Sequence, residues 1–178
     1  MFVPAAAAMA ILSPFSGKLS DVHGTKLFAS GGLFISTIGL LLLSALNQSS
    51  HGWMPLLAMI PVTAGLGIFY GPNNSATLSV AKDEAHGSVI GLINLVRNSG
   101  NLIAIPVSTI IVTAVMSSLG YAPDLSEVTY NSDKNVIGSF VSGMRVAFLI
   151  LAGITFLGSM LSFYDNKPPT HKTHPYGG

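Results

Sequence analysis

Uncharged stretches alternate along the chain with short polar and charged clusters, and this spacing predicts helices that cross a membrane. A helix rises about 1.5 Å per residue and the hydrocarbon core is about 30 Å thick, so one crossing takes roughly 20 apolar residues. Residues 27–46 carry no charge and end in Asn47-Gln48-Ser49-Ser50, a cluster suited to a turn. Residues 55–81 form a second span, interrupted by Pro61 and by Gly71-Pro72-Asn73-Asn74, a pattern that predicts a kinked or locally opened helix; Lys82-Asp83-Glu84 closes it. A third span covers 88–119, bent near Pro106 and polar in its first half, and a fourth covers 141–164. The opening stretch, 2–16, is too short to cross alone and reads as the end of a span begun upstream. The tail, 166–178, with Pro168-Pro169 and a closing Gly-Gly, is expected to be disordered. The expected fold is an all-α membrane protein of about five transmembrane helices.

Composition supports that reading and removes alternatives. Of 178 residues, 49% are hydrophobic and 8% charged, whereas a soluble domain carries about 25% charged residues. A net charge of +1 with scattered Lys and Arg excludes a nucleic-acid partner, because phosphate binding needs clustered cations. The absence of cysteine excludes disulfides, thiolate nucleophiles and Cys-ligated metals. Met1 to Leu12 has no basic residue ahead of its apolar run and no cleavage site, so it is no signal peptide. The chain has no G-x-S-x-G, no H-E-x-x-H and no phosphate loop; it is not expected to be an enzyme or to bind a cofactor. His171 and His174 lie three apart without further ligands, too weak a signal for a metal site. All seven acidic residues, Asp21, Asp83, Glu84, Asp124, Glu127, Asp133 and Asp165, fall in predicted loops or at span ends, so no span offers a carboxylate for proton binding.

Short loops rich in Lys and Arg favour the cytoplasm. Lys18 and Lys26, then Lys82, then Lys167 and Lys172 fall on one side, against Lys134 alone among acids on the other. This places the C-terminus in the cytoplasm.

Two segments carry more than topology. The loop Gly17-Lys18-Leu19-Ser20-Asp21-Val22-His23-Gly24-Thr25-Lys26 joins two spans. Its glycines permit a tight reversal, and Asp21 either latches one conformation against a cation or helix N-terminus or is a solvated charge. The loop resembles that of the major facilitator superfamily, G-x-L-[AS]-D-[RK]-x-G-[RK]-[RK]; Gly17, Leu19, Ser20, Asp21, Gly24 and Lys26 match, and Val22 and Thr25 depart. The resemblance implies a gating role for Gly17, Asp21, Gly24 and Lys26.

The second segment runs from Gly67-Ile68-Phe69-Tyr70-Gly71-Pro72-Asn73-Asn74-Ser75-Ala76, across the charged turn, to Gly87-Ser88-Val89-Ile90-Gly91-Leu92-Ile93-Asn94-Leu95-Val96-Arg97-Asn98-Ser99-Gly100. Gly67/Gly71 and Gly87/Gly91 have the four-residue spacing at which helices approach closely, and are read as packing sites. Asn94, Asn98 and Asn101 recur at helical spacing beside Arg97, giving one polar face. An arginine inside a span costs about 2.5–3.5 kcal/mol, so Arg97 either faces protein or a watery cavity, or snorkels to the border. Asn73, Asn74, Asn94, Arg97, Asn98 and Asn101 are candidates for a cavity wall or domain contact. Arg145 and the aromatic residues Trp53 and Tyr164 suit interfacial anchoring.

This pair of elements is similar to the fourteen-span drug:proton antiporter branch of that superfamily. The resemblance implies the later part of a six-helix domain, alternating access, efflux of small amphipathic solutes coupled to protons, and a plasma-membrane location. Its partners would be the lipid bilayer, the missing N-terminal half, which holds most coupling acids in the family, and a small-molecule substrate. A stand-alone helical bundle that regulates another membrane protein is the competing reading.

Overall fold

The computed structural model describes residues 11–20, 24–79, 85–122, 124, 125, 128 and 133–164. Five helices account for almost all of these: α1 (11–20), α2 (Thr25–Ser44), α3 (Met54–Ser79), α4 (His86–Ser118) and α5 (Lys134–Tyr164). The last four are long and apolar enough to cross a membrane. Asp21, the acidic turn at 83–84, residues 2–10 and the tail 166–178 with its two histidines lie outside the described residues.

The polarity of the bundle is that of a protein in lipid. Large apolar side chains point outward, with Leu102 74% and Leu161 72% exposed, while the buried positions are mainly small: Ser16, Ser20, Ser30, Ser36, Thr37, Ser44, Ala58, Ser139, Ala147, Ala152 and Ser159. Water would not tolerate so much continuous apolar surface. Hydrocarbon does, and it leaves close backbone approach and hydrogen bonding to hold the helices together.

α2 is the centre of the bundle, packing on α3 and α5. Against α3, Gly32 lies over Gly65 and Phe69, and Gly39 over Val62 and Ala58. A Cβ at Gly32 would stand 2.6 Å from Gly65 O, and one at Gly39 2.7 Å from the Val62 nitrogen. Only glycine lets these backbones meet. Ser36 Oγ donates to Val62 O (3.0 Å) at the same crossing. Against α5 the contact is a ladder of hydroxyls. Ser159 Oγ donates to Ser30 O (2.9 Å), and Thr37 and Thr155 share a hydrogen bond at 3.1 Å. α4 joins through its C-terminal third, where Val112 and Met116 pack on Gly143 and Ala147.

Both pairings of α2 are antiparallel, so the start of α2, the end of α3 and the end of α5 share one end of the bundle. Gly24 (φ 93°) begins α2, and its N–H bonds to Ser20 O at 2.9 Å. α4 ends on Gly120 (φ 83°), whose N–H reaches Ser117 O while Tyr121 N–H reaches Met116 O, the double closure that favours glycine.

The boundaries differ from the hydropathy reading in three places. Gly17 to Ser20, expected in a loop, continue α1, because Ser20 Oγ bonds to Gly17 O and the turn packs on α3. α3 is continuous through Pro61 and Gly71-Pro72-Asn73-Asn74, so of the kinked or locally opened helix expected there the opening is absent; the Pro72 ring is fully buried by its neighbours. α5 begins at Lys134 instead of 141, its first turns lying beyond the hydrocarbon-length stretch.

Arg145 caps a neighbour. Its Nε donates to Ser44 O (2.9 Å) and an Nη to Leu46 O (3.4 Å), satisfying carbonyls that the C-terminus of α2 leaves open. Arg145→Met is expected to cost about 1.5 kcal/mol, the low end for a charged hydrogen bond because the side chain is exposed. Thermal unfolding in detergent measures this; a wild-type melting curve for the variant would remove the cap from the account.

Candidate functional site

α4 divides at Pro106. Beyond it Val112 and Met116 are buried against α5; before it no side chain on α4 is buried among the described residues. Proline has no N–H to return to Leu102 O, so the ladder is interrupted where the helix leaves its neighbour. The free half carries the polar face. Asn94, Asn98 and Asn101 are exposed, and Arg97 is half-buried because it leans on α3.

Its partner there is Tyr70. The Arg97 guanidinium carbon stands 4.4 Å from the centre of the Tyr70 ring, and Phe69 lies beside that ring with centroids 5.7 Å apart. A cation over an aromatic face is held by the ring quadrupole, worth about 0.5–2 kcal/mol according to how much water is excluded. The sequence reading assigned Tyr70 no role. The signal was available: Tyr70 and Arg97 stand within one residue of the same separation from the middle of the charged turn Lys82-Asp83-Glu84, so a helical hairpin brings them to about one depth.

Of the asparagines on α3, Asn73 is exposed and Asn74 half-buried. The Asn74 Oδ1 atom is buried and has no hydrogen-bond partner among the described residues. An unmet buried acceptor costs about 1–3 kcal/mol until a donor arrives.

The glycines divide. Gly71 meets α1: a Cβ there would collide with Ser13 O and stand 2.6 Å from Ser16 Oγ and 2.9 Å from Gly17 N. Ser16 Oγ also donates to Gly67 O (3.3 Å). Gly17 and Gly71, assigned to separate roles from sequence, therefore touch. Gly87 and Gly91 stand in open space, with nothing within 4 Å of an added Cβ; no described helix packs there. Lys26 is half-buried in the first turn of α2.

A lipid-embedded helical bundle with a polar, partly unpartnered wall has the make-up of a transporter. A model described as Major Facilitator Superfamily matches residues 1–105. The chain belongs to the Major Facilitator Superfamily and is an integral membrane protein of a transporter family, not an enzyme. It is similar to the riboflavin transporter RibZ of Clostridioides difficile, 27% identical over 88% of this chain and 32% of the relative. It is also similar to the uncharacterized MFS-type transporter YcnB of Bacillus subtilis (26% identical, 94% of this chain, 33% of the relative). A third relative is the uncharacterized transporter YebQ of Escherichia coli (26%, 82% and 31%). The chain spans about a third of the length of these relatives. No solved structure matches it significantly.

Proposed function

We propose that this chain forms part of a plasma-membrane transporter that exports small amphipathic solutes by alternating access, coupled to protons, with the α3–α4 hairpin lining the path. The observation that carries the reading is the outward polar wall of Asn94, Asn98 and Asn101 next to Arg97 on Tyr70, with the Asn74 acceptor unmet. Hydrocarbon does not tolerate such a wall, so it belongs against water, solute or the rest of the protein. Amide side chains both donate and accept, and the Phe69–Tyr70 pair offers a face for stacking, which suits a flat solute with polar edges. The riboflavin transporter among the relatives is in keeping with such a solute. The described acidic residues, Asp124 and Asp133, lie outside the helices, and in this reading the coupling carboxylates belong to the rest of the transporter. In this reading the segment Gly17, Asp21, Gly24 and Lys26 gates at the cytoplasmic border, where the C-terminus also lies.

This chain contributes no native cysteine, so single cysteines introduced into a cysteine-free version of the complete transporter report without background. In the complete transporter, Asn98→Cys is expected to react with a membrane-impermeant thiol reagent, and a transported dye or riboflavin to slow that reaction. Leu161→Cys, on an exposed apolar face of α5, is expected to stay inert. Equal reactivity at the two positions would contradict the lined path.

A further inference from the structure

We infer that the groove between the first half of α2 and the end of α5 holds an acyl chain of an anionic phospholipid, with the lipid phosphate at Lys26. The groove has a volume of about 360 Å³ and is walled by Gly31 and Phe34 of α2 and by Phe156, Met160, Phe163 and Tyr164 of α5. Its floor is the Ser159–Ser30 hydrogen bond, so the polar atoms there are already satisfied and ask nothing of an occupant. Gly31 makes the room, since a Cβ at that position would meet no atom within 4 Å. A satisfied floor and aromatic walls select hydrocarbon, and the chain's lipid setting supplies it.

The head group follows from the mouth. Lys26 lies one turn below Ser30, whose Oγ donates to Lys26 O (2.8 Å), and the Lys26 side chain has no carboxylate partner among the described residues. Side chains on a helix lean toward its N-terminus, here toward the end of the bundle where α5 finishes in Tyr164. The first turn of α2 has no acidic residue and Gly24 gives no side-chain cap, so open N–H groups add to the positive field. A lysine at this depth favours an anionic lipid by about 1 kcal/mol, or about fivefold. The polar groove at the opposite end, beside Gln48 and Lys134, offers no such site, because Arg145 there is committed to capping α2.

The full chain, in mixed detergent micelles, tests this with Trp53→Phe and Tyr164→Trp, which move the single tryptophan to the groove. Phosphatidylglycerol with brominated acyl chains is expected to quench that tryptophan half-maximally at about a fivefold lower mole fraction than brominated phosphatidylcholine. Lys26→Gln should erase the difference and Lys26→Arg preserve it. Gly31→Leu should abolish the quenching at low mole fraction for both lipids, with Gly31→Ala as a milder block should the leucine variant not fold. Equal quenching by the two lipids in the parent protein overturns the proposal. So does a preference for phosphatidylethanolamine, whose ammonium would answer a carboxylate such as Asp21 or Asp165, or tight quenching that survives in Gly31→Leu.

Discussion

Gly65→Ala is expected to destabilise the bundle by about 3 kcal/mol, the upper end of overpacking costs. Its Cβ would run into Gly32 O and Ser36 Oγ and stand 2.6 Å from Ser36 N. Two of these three atoms are backbone, so no rotamer change relieves the clash, and α2 and α3 must part along their crossing. Parting also lengthens the Ser36–Val62 hydrogen bond. Lipid supplies little hydrophobic force to push the helices back together. Gly91→Ala is the matched control: the same added methyl meets nothing within 4 Å, and its effect is expected to stay within about 0.5 kcal/mol. Denaturant unfolding of both variants in micelles decides the matter. Similar loss in the two, or none in either, would show that the crossing does not hold the fold.

The second large effect separates activity from stability. In the complete transporter, Arg97→Leu is expected to lower solute export at least tenfold while membrane abundance holds or rises. Removing an arginine from a span relieves about 2.5–3.5 kcal/mol of insertion cost, more than the roughly 0.5–2 kcal/mol returned by its place on Tyr70. Tyr70→Leu removes the ring and is expected to cost about tenfold, equivalent to about 1.4 kcal/mol; Tyr70→Phe keeps the ring and should cost less than about threefold. Export at the wild-type rate by Arg97→Leu would end the functional reading of this pair.

Much of this molecule is legible in its sequence because membrane thickness is a fixed ruler. The four long spans and the polar face of α4 follow from where charges and amides stand relative to about 30 Å of hydrocarbon. Helix ends do not, since a helix can run on past the apolar stretch that reveals it, as α5 does from Lys134 and α1 does through Gly17 to Ser20. Partner choice is harder still. Gly67/Gly71 and Gly87/Gly91 share one spacing, yet the first pair meets α1 and the second meets nothing described. Small residues make a surface flat without saying what lies opposite. Gly32, Gly39, Gly65 and Gly143, which meet α3, α2 and α4 closely, have no glycine four residues away and so carry no such spacing signal. That Arg145 also caps α2 is not legible, because its acceptors are backbone carbonyls of another helix, which no side-chain pattern reveals.

The crossing of α1 and α3 works as a mesh of teeth. Ser13, Ser16 and Gly17 fill the space beside Gly71 so closely that α1 has no slack to slide. In the proposed alternating-access cycle, a tilt of α1 would be passed to α3 at the residue next to Tyr70, and from that ring to the guanidinium resting on it. Substituting Gly71 with a larger residue would strip the gear, disconnecting the border from the polar wall even if every helix stayed in place.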